Sequence, residues 1–308
     1  MELPRYLVRP ELWERIPADW AEVFGRDGPL GVEIGFGNGE YLAAAAREHP
    51  DWNWVGFETS LTCVAKACGK LAQAGAEHVR VALLDGRFAL RELFPDESVA
   101  RAVVRFPCPW PKRSHAHRRL VEGEFPRTVA AVLSPGGEFD LTTDVLPYAR
   151  AAADELSSAG FTLTGPDELD TSSPASRYEA KWREQGRRIW RLVARRGPKG
   201  STLRIAEGPM PHVRVPKRVR PEEVGGLVGL KASWPEGAFV IKEVFLSPGG
   251  AALLRAFATD RGFEQHYFLA VVPDGEGTLV KLDGATVPFR TPAVKRSVAA
   301  AAAALEGR

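Results

Sequence analysis

Chemically active residue types concentrate in residues 106–120, whose sequence is FPCPWPKRSHAHRRL. Three prolines within its first six residues exclude a helix interior or a central strand, so the segment is a loop. It follows the apolar run ARAVVRF at 100–106, which predicts a strand. A rigid, basic loop that carries a tryptophan at a strand end indicates a site for an anionic polymer. A solvated surface loop would explain the basic residues equally well.

Polar residues also follow four other predicted strands. In an open α/β sheet, ligands bind at the carboxyl edge of the strands, where such residues meet. If these strand ends only packed in the hydrophobic core, we would expect apolar residues there instead. The strand-end residues are Gly35, Gly37 and Gly39 after 30–34, Glu58 after 53–57, Asp85 after 79–84, Cys108 after 100–106 and Asp144 after 138–142.

The elements that position these residues alternate between strands and helices. Helical segments are predicted at 40–48, 61–74, 123–133 and 147–159, and late strands at 161–164 and 189–194. This alternation predicts a parallel sheet with right-handed crossovers.

The pattern changes after a linker near residue 197. Strands are predicted at 212–220, 238–246, 266–272 and 277–282, with helices at 250–261 and 295–305. We therefore expect an irregular N-terminal lead-in over 1–29, an α/β domain over 30–196, and a second, smaller α+β domain over 197–308.

Composition bounds the class of protein. The chain has 308 residues, 44% of them apolar, with 41 basic and 39 acidic side chains. Residues 187–220 nevertheless contain eleven Lys or Arg and one acid, a cluster that suits a phosphate-rich partner. The three cysteines form no metal-binding spacing, so we expect no metal and a reducing cytoplasm. Neither a signal peptide nor a membrane-spanning run is evident, and we expect no membrane partner.

The glycine-rich turn discriminates between nucleotide cofactors. A dinucleotide fingerprint needs G-x-G-x-x-G, but the sixth position is Glu40 counted from Gly35 and Leu42 counted from Gly37. The pattern Glu-x-Gly-x-Gly-x-Gly over 33–39 instead resembles motif I of S-adenosyl-L-methionine-dependent methyltransferases, whose cofactor is cationic and lacks a pyrophosphate. A carboxylate at Glu58 could accept both ribose hydroxyls, and Asp85 could bind the adenine amino group. Each could also be a solvated acid or a helix cap.

Longer motifs resemble one family, the bacterial tRNA (guanine-N7-)-methyltransferases, over about residues 30–194. They are EIGFGNGE at 33–40, GFE at 56–58, FPCPWPKRSHAHRRL at 106–120, LTTD at 141–144 and SRYEAKWREQGRRIWRL at 176–192. The resemblance implies a class I, Rossmann-like fold and methyl transfer from S-adenosyl-L-methionine to N7 of a variable-loop guanine in tRNA. The family's C-terminus normally lies near residue 196, so the resemblance does not cover the second domain.

The resemblance also implies roles for individual residues. Cofactor contacts are expected at Glu33, Glu58 and Asp85, beside the turn glycines Gly35, Gly37 and Gly39. Guanine or tRNA contacts are expected at Lys112, Asp144, Ser176, Arg177, Tyr178 and Glu179, and tRNA backbone contacts at Ser114, His115, Ala116, His117, Arg118 and Arg119. Asp144 is the candidate catalytic carboxylate, since it could grip the guanine edge and offset the charge that develops on the ring. The chain departs from the family at Ser176, usually Thr, and at Cys108, usually Asp.

Several interpretations stay open. Cys108 could line the methyl-transfer pocket beside the cofactor, or it could be the nucleophile of an RNA cytosine-C5 methyltransferase. Without the family's aspartate, the chain could also be a non-catalytic RNA-binding protein, and a methyltransferase of small molecules or proteins is a third class. His115 and His117 could contact RNA or be solvated. Trp110 could anchor the loop or stack on a base, and Tyr178 could orient guanine or pack in the core.

The second domain could add tRNA grip, stabilise the protein or form a subunit contact. The sequence does not give the oligomeric state.

Overall fold

The computed structural model describes residues 3–169 and 184–307 of the chain, and for Leu3, Pro4, Arg113, Ala116 and His117 it describes the backbone alone. Two compact units are present. The first comprises Met1–Pro10 and Arg15–Leu203, and the second comprises Glu11–Glu14 and Arg204–Arg308. The predicted boundaries after residues 29 and 196 stay a prediction.

The first unit is an α/β layer structure. Its helices are α1 (Leu3–Tyr6), α2 (Trp20–Phe24), α3 (Glu40–Glu48), α4 (Leu61–Gln73), α5 (Gly86–Leu93), α6 (Phe125–Val132) and α7 (Leu146–Ser158), with a 3-10 helix at Arg113–Arg118. Its strands are β1 (Leu30–Ile34), β2 (Asn53–Glu58), β3 (Val79–Leu83), β4 (Val99–Arg105), β5 (Leu133–Thr143), β6 (Thr162–Glu168) and β7 (Trp190–Arg195). A further 3-10 helix, Pro10–Leu12, begins at the last residue of the segment Met1–Pro10 and continues into Glu11–Glu14, which belongs to the second unit.

These strands form one seven-stranded sheet in the order β3-β2-β1-β4-β5-β7-β6. Strands β1 to β5 pair in parallel, whereas β7 runs antiparallel to both β5 and β6. All five residues of β1 are buried, as expected for a central strand covered by helices on both faces. The order reverses between β1 and β4, so the carboxyl ends of these two strands border the crevice where such sheets bind ligands. The class I methyltransferase fold expected from the sequence is therefore the fold of this unit.

The lead-in is more regular than the sequence analysis expected. Asp19 caps α2 by accepting a hydrogen bond at 3.2 Å from the backbone N–H of Glu22. Trp20, buried just inside this cap, stacks on Phe94 with ring centroids 4.8 Å apart. The sequence Asp-Trp-Ala-Glu thus begins a short helix by ordinary N-capping, a signal that the preceding prolines Pro4, Pro10 and Pro17 obscured.

The second unit contains a six-stranded sheet. Its strands are β8 (Val213–Val215), β9 (Lys231–Trp234), β10 (Gly237–Leu246), β11 (Ala252–Asp260), β12 (Phe263–Asp274) and β13 (Gly277–Leu282), and its helices are α8 (Pro221–Gly225) and α9 (Pro292–Glu306). The order is β8-β13-β12-β11-β10-β9, and every neighbouring pair is antiparallel. Buried residues of the sheet and of α9 share one apolar core. The unit is the α+β fold expected from the sequence.

The predicted helix at 250–261 is wrong. Residues Ala252–Asp260 form strand β11, which pairs with both β10 and β12. Its alternate residues, from Ala252 to Ala258, are buried, with a period of two. Alanine, leucine and arginine favour helices locally, but pairing on both sides overrides that propensity.

Within residues 3–169 and 184–307, no helix is both long enough and apolar enough to cross a bilayer.

Candidate active site

The glycine turn after β1 approaches the end of β2 directly. Gly35, Gly37 and Gly39 have φ values of 74°, 57° and 76°, a left-handed conformation that favours glycine. The backbone N–H of Gly37 donates to Oε2 of Glu58 at 3.0 Å. The turn and the strand-end carboxylate, predicted separately, therefore form one local structure.

Glu58 is also held from the other side. Its Oε1 accepts hydrogen bonds from the backbone N–H groups of Thr59 at 2.8 Å and Ser60 at 3.1 Å. Three backbone donors thus fix a carboxylate that keeps further acceptor capacity at Oε2. Thr59 and Ser60 are not predicted as part of the site, although a serine just before α4 is an N-cap signal that indicates Ser60.

Glu33 lies in β1 and is only 2% exposed. Burial raises its pKa from 4.5 to about 8; Arg105 opposes this shift, and the nearby acids Glu40 and Glu58 add to it. Among the described residues, no donor reaches its Oε2. A buried carboxyl with an unsatisfied oxygen is expensive in a structural role, so it indicates a partner of another kind.

Asp85 follows β3 and begins α5. Its Oδ1 accepts a hydrogen bond at 2.9 Å from the backbone N–H of Phe88. The helix-cap alternative for Asp85 is thus present in the structure. A capping carboxylate keeps its second oxygen for another donor, so capping and adenine recognition are compatible.

The proline loop after β4 is folded into an unusual backbone shape. Phe106 and Trp110 have φ values of 51° and 41°, in the left-handed region that side chains other than glycine rarely adopt. The backbone N–H of Phe106 donates to the carbonyl of Thr142 at 2.7 Å, which fixes the loop's start to β5. The guanidinium of Arg119 donates to the carbonyls of Pro109 at 3.1 Å and Trp110 at 3.2 Å. Such strain is concentrated at functional sites.

Trp110 organises the basic half of this loop. The ring of His115 meets it edge-on at 5.7 Å, and the guanidinium of Arg118 lies 5.0 Å from its centroid. These contacts match the anchor interpretation of Trp110. Lys112, Ser114 and Cys108 are exposed on the same loop. Ala116 and His117 belong to the 3-10 helix Arg113–Arg118, but their side chains lie outside the described part of the structure.

Asp144, directly after β5, forms an ion pair that the sequence analysis missed. Nη1 of Arg187 lies 2.7 Å from its Oδ2, with 14% of the Asp144 side chain exposed. Arg187 was noticed only as one member of the basic run. The predicted contacts Ser176, Arg177, Tyr178 and Glu179 lie outside the described residues.

Most of that basic run in the first unit is paired with acids. Cross-strand pairs between β7 and β5 join Arg191 to Asp140 and Arg195 to Glu138, and the hydrogen bond to Asp140 raises the pKa of Arg191. The remaining pairs are Arg188–Glu168, Arg196–Glu97 and Lys199–Asp96. This set, the ion-pair ladder, gives the run a structural role that its composition did not indicate.

No group of three or more His, Cys, Asp or Glu side chains is placed to hold a metal within residues 3–169 and 184–307.

Comparison with known proteins adds the identity of the family. Residues 27–192 match the model of a family described as "Putative methyltransferase". The tRNA (guanine-N(7)-)-methyltransferase of Thermotoga maritima is 39% identical over 97% of this chain and 96% of its own. That of Coprothermobacter proteolyticus is 32% identical over 94% and 90%. That of Paracoccus denitrificans is 38% identical over 60% of this chain and 79% of its own.

The first two matches extend through both compact units, so the second unit has counterparts in relatives. The solved structure of the 16S rRNA methyltransferase KamB covers 60% of this chain and 96% of its own at 17% identity and a TM-score of 0.47, which is too low a similarity to inform the site. Nearly full-length identity above 30% to two such enzymes shows that this chain belongs to the tRNA (guanine-N(7)-)-methyltransferase family.

Proposed function

We propose that the protein transfers a methyl group from S-adenosyl-L-methionine to N7 of a guanine in the variable loop of tRNA, in the cytoplasm. The observation that carries the proposal is the shared edge of β1, β2, β4 and β5. There, a glycine turn bonded to Glu58 adjoins a strained basic loop and Asp144. Family membership supports the reaction and the cofactor.

The residues at this edge fit the cofactor. Glu58, fixed by three backbone N–H groups, would accept the ribose hydroxyls, and Asp85 would bind the adenine amino group with its second oxygen. Glu33, with its unsatisfied Oε2, would face the cofactor's positive charge. A Cβ atom at Gly35 would meet no atom within 4 Å apart from its chain neighbours, so space is open beside the turn. When bound, S-adenosyl-L-methionine supplies a sulfonium methyl group that the N7 lone pair can attack without prior deprotonation.

The protein's task is then to hold the guanine in place. Asp144 would accept hydrogen bonds from the guanine N1–H and N2 amino edge and offset the positive charge that methylation creates. Oδ2 of Asp144 is bonded to Arg187 and keeps a second acceptor site, so a guanine that uses both carboxylate oxygens would share Oδ2 with this guanidinium. Lys112, exposed on the strained loop, would contact the nucleotide, and Ser114 to Arg119 would contact the tRNA backbone. Orientation of this kind can lower a barrier by several kcal/mol.

Cys108 takes the position at which the family usually carries aspartate. It lies exposed at the start of the loop, where it would line the methyl-transfer pocket. A covalent role would require the Cys108 thiolate to attack a cytosine ring and so activate a poor carbon nucleophile. Guanine N7 already carries a free lone pair and needs no such activation. Cys108→Ser should therefore retain activity.

Mass spectrometry of nucleosides tests the proposal after incubation of unmodified tRNA with enzyme and S-adenosyl-L-methionine. We expect 7-methylguanosine. If the enzyme forms 5-methylcytidine and Cys108→Ser abolishes that product, the cytosine alternative is favoured. If the protein binds tRNA without any methylation, the enzymatic function is contradicted.

A second experiment tests the loop. Lys112→Met should raise the KM for tRNA, whereas Lys66→Met, which removes an exposed lysine on α4, serves as the matched control.

A further inference from the structure

The sheet of the second unit has two different faces. Along β11, the buried residues Ala252, Leu254 and Ala256 alternate with Leu253, Arg255 and Phe257, which are half-buried or exposed. The buried set joins the core that includes α9. The opposite face therefore presents a second, independent surface.

A β-bulge turns a phenylalanine onto this second face. Ile241 pairs with Ala256 and Glu243 with Arg255, so Lys242 is the extra residue in β10. Before the bulge, odd-numbered residues such as Ile241 are buried. After it, Val244 packs against the core and Phe245 is 50% exposed. With regular alternation, residue 245 would lie on the core face and be buried. The bulge moves the aromatic ring of Phe245 to the opposite face, where it is exposed.

Other aromatic and cationic side chains surround Phe245 on neighbouring strands. The ring of Phe268 meets Phe245 edge-on at 6.4 Å, and the rings of Phe257 and His266 lie 5.0 Å apart. Nζ of Lys242 lies 4.8 Å from the Phe257 centroid. We call the set the aromatic face: Lys242, Phe245, Arg255, Phe257, His266 and Phe268.

This chemistry matches unpaired nucleotides. Open antiparallel sheets bind single-stranded RNA by stacking bases on aromatic rings while cations meet the phosphates. The ammonium group of Lys242 lies next to the Phe257 ring, so a base that stacks on this part of the sheet would bring its phosphate near a cation. The acid Glu243 is bonded by Arg255 at 2.8 Å, which offsets its charge at the surface. An apolar protein partner would have no use for the exposed lysine and histidine.

We propose that the aromatic face binds unpaired nucleotides of the tRNA substrate, with Phe245, Phe257 and Phe268 as stacking residues and Lys242 as a phosphate contact. The proposal rests on the proposed function, since tRNA is the RNA that the first unit would methylate. It assigns a binding role to a unit that lies outside the residues matched by the family model.

Binding of unmodified tRNA to the full chain tests this proposal. Phe245→Ala removes a half-exposed ring at small cost to the core, and the double variant Phe257→Leu/Phe268→Leu keeps apolar volume while it removes two rings. We expect the tRNA Kd to rise about five-fold or more in each, the low end of base-stacking effects. The kcat at saturating tRNA and the Kd for S-adenosyl-L-methionine should not change. Val228→Ala, which trims a side chain that is 55% exposed in the same unit, is the control.

A tRNA Kd within two-fold of the wild-type value in both variants would overturn the proposal. So would a change in sedimentation mass on substitution, because a second copy of the chain would then be what covers the face. If the wild type binds tRNA but makes no 7-methylguanosine, the proposed function fails, while weakened binding by the variants would still support the aromatic face. If the wild type methylates and the variants bind normally, this inference alone fails.

Discussion

Glu33 should make the stability of the first unit depend on pH, and Glu33→Gln should remove that dependence. The side chain is 2% exposed, and burial raises its pKa from 4.5 to about 8. Glutamine keeps the shape of the side chain but does not ionise. In the absence of ligand, and at a pH between 4.5 and about 8, Glu33 is therefore protonated in the folded protein and ionised in the unfolded chain.

The sign and size follow from proton linkage. Where the folded state binds more protons than the unfolded state, the free energy of unfolding falls as pH rises. The stabilising contribution of protonated Glu33 is fully present below pH 4.5 and is lost as pH rises through about 8. At about 1.4 kcal/mol per pH unit, the complete loss is about 5 kcal/mol, and roughly 3.5 kcal/mol of it falls between about pH 5 and 8.

The assay is equilibrium unfolding in urea at about pH 5 and at about pH 8. Pulsed hydrogen exchange of the peptide that contains β1 reports the fraction of the first unit that is unfolded. This readout reports the unit that holds Glu33 rather than the second unit. The wild-type loss minus the Glu33→Gln loss isolates one carboxyl, because all other groups titrate in both proteins. Glu48→Gln, an exposed acid at the end of α3, is the matched control and should behave as the wild type.

Equal pH dependence in the wild type and Glu33→Gln would refute the reasoning. It would mean that Glu33 is ionised in the folded protein at neutral pH, with its charge compensated by neighbours such as Arg105.

Three further predictions concern the turn, the loop and Asp144. Gly39→Ala should destabilise the protein by about 1–3 kcal/mol in chemical denaturation, because the residue has a φ of 76° and its new Cβ would lie 2.8 Å from that of Ala67. Gly69→Ala, in open space inside α4, should instead stabilise by about 0.5–1 kcal/mol, and a loss there would contradict the argument. Arg119→Ala, which releases two loop carbonyls, should raise the KM for tRNA and leave the Kd for S-adenosyl-L-methionine unchanged in calorimetry. Asp144→Asn should lower kcat by about ten-fold or more at unchanged cofactor affinity, since general electrostatic contacts to a reacting group are of this size or larger; normal kcat would remove Asp144 from the catalytic role.

The sequence predicts the parallel sheet well because its signals are local. Each strand is a short apolar run, and each run ends on a glycine, an acid or a proline. Strand β1 is predicted at the residues where it lies, Leu30–Ile34. The glycine turn and Glu58 could be placed at one sheet edge because parallel strands that alternate with helices leave no other arrangement.

What the sequence could not give depends on pairing between distant residues. The Arg187–Asp144 ion pair joins residues 43 apart, and no local pattern reports it. Strand β11 was mistaken for a helix because Ala, Leu and Arg favour helices until two neighbouring strands pair with them. The bulge at Lys242 was likewise invisible, since one extra residue changes which face a side chain takes without changing composition.

The ion-pair ladder changes what a salt titration of tRNA binding should measure. Binding to a polyanion is favoured when protein cations displace its condensed counterions. The logarithm of the binding constant therefore falls linearly with the logarithm of the salt concentration, with a slope of about −0.9 for each duplex phosphate that the protein neutralises. If all eleven cations of residues 187–220 met phosphates, the slope would approach about −10. Arg188, Arg191, Arg195, Arg196 and Lys199 already face carboxylates, so they would have to exchange one anion for another and would release few counterions. These five cations should therefore contribute little to the salt dependence of binding, and the six others in the run could give a slope of at most about −5.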